Sequence, residues 1–261
     1  MKRVLTIAGA AAQGSAGIQA DLKVFQERKV YGMTAITATV ANNSKTKQGI
    51  FLRSIEEIEA QVYAAHEMVG VDAMKTGMLF SKEIIDRVVE LLKEFSAPAL
   101  VVDPVMIGKM GSQLLADDAI ESLVRNLVPL ATVITPNRLE AARMLDDKIP
   151  ETKQELAEYA RRLSDLGAKA VIVKGGVINN KAIDVLYDGE ECISIEEEAI
   201  DTIHTSGAGC SFAACLTAEL AKGKSLREAV NISKTFVHQA IKDSLSFGKG
   251  VGSVNHGAYR S

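Results

Sequence analysis

Short β-branched apolar runs alternate with longer stretches of helical periodicity along this chain, and that alternation admits few folds. The runs are Val4 to Ala8, Ala35 to Val40, Ala73 to Thr76, Ala99 to Asp103, Thr132 to Thr135 and Ala170 to Lys174. Between them, Ile55 to Val69, Lys82 to Glu94, Lys153 to Leu166 and Leu226 to Ile241 carry apolar residues at three- and four-residue spacing, the mark of helices with one buried face. Strands covered on both faces read as continuous apolar runs, so the pattern predicts an α/β fold with a parallel sheet and crossover helices. Ile183 to Tyr187 and Cys192 to Ile195, joined across Asp188-Gly189, read instead as an antiparallel hairpin near the sheet edge. With 261 residues, 47% hydrophobic content and no compositional break, residues 1–261 are expected to form one domain.

A formal charge of -3 with both signs interspersed gives no basic face for nucleic acid or an anionic membrane, which leaves small molecules as the expected partners. No segment approaches the roughly 18 apolar residues of a membrane span. The opening Met1 to Gly9 is too short for a secretory apolar core and reads as a buried first strand. Three cysteines, Cys192, Cys210 and Cys215, lack C-x-x-C spacing, which argues against a disulfide framework or zinc site and for the cytoplasm. Cys215, inside an apolar helix, is expected in the core, and Cys192 is expected to be inert.

Ligands of such sheets bind beyond the carboxyl ends of the strands. Gly9 to Gly17 follows the first run, Asn42-Asn43-Ser44 the second, and Lys75-Thr76-Gly77-Met78 ends the third. Asp103-Pro104, Thr135 to Glu140 and Lys174-Gly175-Gly176 follow the others. Asp103 and Glu140 are carboxylates able to hold Mg²⁺ directly or through water, and Lys174 is a cation for nucleotide phosphate. Each has a plainer reading. Asn137 and Glu140 have the spacing of a helix N-cap and its first-turn carboxylate, Asp103 that of a turn former, and Lys174-Gly175-Gly176 that of a turn. Their common placement at strand ends favours the functional reading.

His204-Thr205-Ser206-Gly207-Ala208-Gly209-Cys210, opening onto apolar Ser211 to Leu220, puts two glycines and a thiol at a helix start. The first N–H groups of a helix lack intrahelical partners and point outward with the positive end of the macrodipole, a setting for phosphate. A thiol facing that dipole is expected to fall below its ordinary pKa of about 8.5, which would make Cys210 a base or charge stabiliser beside a transferring phosphoryl group. A tight packing turn is the plain alternative. No Walker A motif is present, and no G-x-G-x-x-G follows the first run, which disfavours a dinucleotide-dependent oxidoreductase.

Thr6 to Gly9, Gly14 to Lys23, Tyr31 to Ala35, Lys75 to Met78, Asp103 to Met106, Thr135 to Asn137 with Glu140, Lys174 to Gly176, Gly207 to Cys210 and Asn255-His256 together resemble the ribokinase-like vitamin kinases. Within them, the chain is similar to the hydroxymethylpyrimidine/phosphomethylpyrimidine kinases and the closely related pyridoxine/pyridoxal kinases, over nearly its whole length. The resemblance implies a three-layer α/β/α sandwich with a mostly parallel central sheet and a homodimer. It also implies Mg²⁺- and ATP-dependent transfer of the γ-phosphoryl group to a hydroxymethyl group on a planar nitrogen heterocycle. By the same resemblance, Gly207, Ala208 and Gly209 form the anion hole, and Cys210 stands where sugar kinases have an aspartate base. Asp103 and Glu140 match the metal carboxylates, Lys174, Asn137 and Glu140 the nucleotide side, and Gly9, Asp21 and Asn42 the heterocycle pocket.

Departures from the family pattern bear on the substrate. Ala10-Ala11-Ala12 stands where Gly-Ser-Asp is usual, and Asn42 replaces a glutamine of the pyrimidine kinases, shortening its reach by about 1.5 Å. Gly108 takes the place of a second cysteine found in some pyridoxal kinases, while Lys109 and nearby glycines read as a mobile cover. Gly207 to Cys210 and Val185 to Glu190 lean toward the pyridoxal kinases, Met106 to Gly111 and Asn42 toward the pyrimidine kinases. The expected substrate is hydroxymethylpyrimidine and its monophosphate, as in thiamin biosynthesis. Pyridoxine, pyridoxal and pyridoxamine, as in vitamin B6 salvage, are the alternative, alone or with the pyrimidines, because such pockets separate similar shapes weakly. A vitamer-binding protein without kinase activity is a further reading, motivated by Ala10 to Ala12.

Overall fold

Nine strands and eight α-helices are found among the described residues of this computed structural model, 1–95, 98–107 and 113–260. The strands are β1 (Arg3–Ala11), β2 (Tyr31–Val40), β3 (Ile50–Leu52), β4 (Ala73–Thr76), β5 (Leu100–Val102), β6 (Val133–Ile134), β7 (Val171–Ile178), β8 (Lys181–Tyr187) and β9 (Cys192–Glu198). The helices are α1 (Gly17–Glu27), α2 (Ile55–Met68), α3 (Lys82–Glu94), α4 (Asp117–Ser122), α5 (Arg138–Leu145), α6 (Lys153–Ser164), α7 (Ala208–Ala221) and α8 (Leu226–Lys242). All nine strands form one sheet in the order β3-β2-β1-β4-β5-β6-β7-β8-β9. Pairing is parallel from β2 through β7 and antiparallel at both edges, so the predicted hairpin is β8-β9.

Successive side chains of a strand point to opposite faces, and here both faces are apolar. Leu5, Met74, Val102 and Ile134 join Ile58, Ile85 and Leu156 in the core beneath α2, α3 and α6. Their neighbours Val4, Ala73, Val101 and Val133 join Val24, Phe212 and Phe236 beneath α1, α7 and α8. The result is the expected α/β/α layering. No helix among the described residues is long and apolar enough to cross a membrane.

Two expected loops are strand. β1 continues past Gly9 because Ala10 and Ala11 pair with Thr39 and Val40 after a register shift. β7 continues past Lys174 across a second irregularity because β8 supplies antiparallel partners, so Lys174-Gly175-Gly176 is not a turn. The three-residue β3 escaped the sequence reading altogether.

α1 carries the chain from β1 to β2, whereas α2 brings it back to β4 on the other side of β1. That reversal opens a crevice at the carboxyl ends of β1 and β4. Helices α2, α5, α6 and α8 start with capping boxes, and Ser81 caps α3. The starts of α1 and α7, at Ala16 and Gly207, have no side-chain cap.

Candidate active site

Asp103 is the first residue beyond β5, fixed by its N–H to Thr76 O (3.0 Å). Only 2% exposed, its Oδ1 accepts from Thr135 Oγ1 and Lys174 Nζ, each at 2.9 Å. Burial opposes ionisation, yet Lys174 and Lys75 bring the carboxyl below its usual range. Lys174 reaches across from β7 to the first turn of α7, where a methyl group at Gly209 would stand 3.3 Å from Nζ. Its ammonium is held up by Asp103 and Glu140 against burial.

Glu140 completes the α5 cap and faces Lys174 and Asp103 at once. Its Oε2 accepts the Asn137 N–H at 2.8 Å, while Asn137 Oδ1 accepts from Leu139 N and Glu140 N. Asn137 therefore aims the glutamate. Burial pushes the Glu140 carboxyl up to about 7, with Lys174 pulling it down and Asp103 pushing it further up.

At α7, Gly207 sits at φ +86°, and a Cβ there would lie 1.8 Å from the Ser15 carbonyl oxygen. Only glycine allows the 12–16 segment to pass so close. Ser15 and Ser206 hydroxyls meet at 2.9 Å, and Gly17 N–H donates to Cys210 Sγ at 3.4 Å. Two uncapped helix starts thus converge on one half-buried sulfur. The Ala208 amide closes the turn onto Thr205 O (3.2 Å). Contrary to the sequence expectation, the thiol is not acidified: burial pushes it up to about 11, against the pull of Lys75. The helix-start field is outweighed by lost hydration.

Asp21 is fully buried. Its Oδ2 accepts from Thr6 Oγ1 at 2.6 Å and Lys75 Nζ at 3.0 Å, while Oδ1 has no hydrogen-bond partner among the described residues. Burial raises this carboxyl and Lys75 counters it. For Lys75, burial opposes the charge, but Asp21, Cys210 and Asp103 push the ammonium up to about 12. Sequence reasoning quoted Lys75 without assigning it a role. The available signal was a lysine inside a buried four-residue parallel strand, where a charge persists only with a partner.

A sequence profile of the phosphomethylpyrimidine kinase family matches residues 12–255. The chain belongs to that family. The pyridoxine kinase of Bacillus subtilis (strain 168) is 45% identical over 265 residues, covering 100% of this chain and 97% of that protein. The hydroxymethylpyrimidine/phosphomethylpyrimidine kinase of the same strain is 40% identical over 260 residues, covering 99% and 96%. The pyridoxal kinase from Staphylococcus aureus in complex with AMP-PCP and pyridoxal matches with a TM-score of 0.92 at 40% identity, covering 99% and 94%. The expected kinase class and ribokinase-like sandwich hold.

Within this kinase-family fold, Gly9 lies in β1 against the Phe80 ring, which a Cβ would approach to 2.7 Å. Asn42 is exposed, two residues beyond the end of β2. Gly108 and Lys109, the expected cover, lie outside the described residues. Cys215 is wholly buried, and Cys192, on β9, donates to Ala157 O at 3.5 Å. Among the described residues no three His, Cys, Asp or Glu side chains gather as a metal cage. Asp103 and Glu140 nevertheless fit Mg²⁺, which takes one or two protein carboxylates and fills its octahedron with water and phosphate oxygens. A buried acid near 7, Glu140, has most to gain from such a cation.

Proposed function

We propose that this kinase transfers the γ-phosphoryl group of ATP to the hydroxymethyl group of a planar nitrogen heterocycle. Hydroxymethylpyrimidine, which accepts on its hydroxymethyl oxygen, and its monophosphate, which accepts on an oxygen of the phosphate already there, are the first substrate class. The observation that carries the reading is the convergence of Lys174, Asp103 and Glu140 with the uncapped start of α7 and Cys210. Lys174 meets nucleotide phosphate, and Asp103 and Glu140 hold Mg²⁺, whose chemistry when bound is to neutralise phosphate charge. The glycines at Gly207 and Gly209 open the helix start to the transferring group. The substrate oxygen forms its bond to γ-phosphorus, the bond to the bridging oxygen of ADP breaks, and the hydroxyl proton passes to the Cys210 thiolate.

A second reading, phosphorylation of pyridoxine, pyridoxal or pyridoxamine, is favoured by the 45% identity to a pyridoxine kinase and by the pyridoxal-bound S. aureus relative. The two substrate classes share shape and reacting group, and one pocket serves both. Residues 1–261 act as one domain, in the cytoplasm, as a homodimer. The last is supported by Phe51 and Leu52, 45% and 53% exposed on edge strand β3. The test is ADP formation from MgATP with hydroxymethylpyrimidine, its monophosphate, pyridoxine and pyridoxal in parallel. Turnover above the no-substrate control is expected with at least one of the four. Tight heterocycle binding with no ADP formed would replace this reading by a vitamer-binding protein.

A further inference from the structure

Gly17 and Asp21 stand four residues apart on α1, so they share one face, about 6 Å apart along the axis. The Gly17 N–H points at Cys210 Sγ (3.4 Å), and Asp21 holds Lys75 Nζ (3.0 Å). Sulfur and ammonium thus both meet the start of α1, at Gly17 and at Asp21. Lys75 is fully buried, and its Nζ stands 3.2 Å from where a methyl at Gly77 would be. The transfer step gives it no task.

We propose that Lys75 is a positioning residue whose buried ammonium stabilises the thiolate of Cys210, with Asp21 setting how much of that charge the sulfur feels. The idea rests on Cys210 as proton acceptor, but its test needs no turnover. The groups facing the sulfur are Lys75 from β4 and Lys174 from β7, which favour the thiolate, and Asp21 from α1 and Asp103 beyond β5, which disfavour it. Removing Lys75 and removing the charge of Asp21 should therefore act with opposite signs. A pair that only held the fold together would give both changes the same sign.

The experiment is the rate of Cys210 alkylation by iodoacetamide on the full chain, in brief pH jumps from 7 to 12 followed by peptide mass spectrometry. Lys75→Met is expected to slow the reaction at pH 8 at least ten-fold, Lys75→Arg to leave it within about three-fold, and Asp21→Asn to bring the pH at which the rate levels off down by about one unit. A change of access scales rates at every pH, whereas a change of charge moves the levelling point. Should Lys75→Met not fold, the Asp21→Asn levelling point still decides. Shifts of the same sign for both variants, or an Asp21→Asn levelling point at or above that of the wild type, would overturn the proposal. Absence of ADP formation in the wild type would instead strike the kinase reading and leave these rates meaningful.

Discussion

At Glu140 the same burial that serves chemistry works against folding at high pH. The unfolded chain loses this proton near 4.5 and the folded chain near 7, so between those values the folded state binds more protons. Stability then falls as pH rises through that window, by about 3 kcal/mol in all, and the loss is complete above 7. Glu140→Gln is expected to raise stability at pH 8 by about 1–3 kcal/mol in denaturant unfolding while depressing phosphoryl transfer. A less stable variant at pH 8 would contradict the burial argument. With the Cys210 thiol near 11, kcat/KM is expected to climb between pH 7.5 and 9.5 as thiolate accumulates, and Cys210→Ala to lose about 100-fold or more with the KM for ATP unchanged. A flat profile over that range would remove the thiol from proton transfer. The position of Cys210 at a helix start was legible because that is a local pattern. Its acidity was misread because burial comes from elements far off in sequence, and Lys75 was left without a role for the same reason, its partner Asp21 lying 54 residues away.

At the scale of elements, α1 and α7 run side by side, their open starts at the site and their far ends pinned by an ion pair. Arg28 Nε meets Glu219 Oε1 at 2.7 Å with Glu219 only 1% exposed, and Lys222 joins the same oxygen at 2.6 Å. Breaking a buried pair leaves an uncompensated charge, so Glu219→Ala is expected to cost about 3 kcal/mol in urea unfolding. An effect below about 1 kcal/mol would show that apolar packing alone sets the two helices. The six parallel runs, the hairpin and the amphipathic helices could be read from periodicity because each carries its own pattern. The extensions of β1 and β7 could not. Ala10, Ala11, Gly175 and Gly176 have weak strand preference, and only pairing to β2 and β8 makes them strand.

Across the whole molecule, the single sheet lines up Asp103, Lys174 and the α7 start at one end. The strand-end rule applied to the sequence found this set because a parallel sheet puts every such end on the same side. What it could not find was the short edge strand β3, whose pairing to β2 carries no period of its own. Exposed Phe51 and Leu52 make that edge one that needs a cover. Sedimentation is expected to show the mass of two chains, falling to one in Phe51→Glu/Leu52→Glu. A monomeric wild type would refute the homodimer. The phosphotransfer itself is tested most directly by mixing excess enzyme with MgATP and each heterocycle, then reading the heterocycle by mass spectrometry after a single turnover. The expected result is a heterocycle carrying one added phosphoryl group, on its hydroxymethyl oxygen or, in the monophosphate, on the phosphate already there, formed in step with ADP. ADP formed with every heterocycle left unmodified would contradict it.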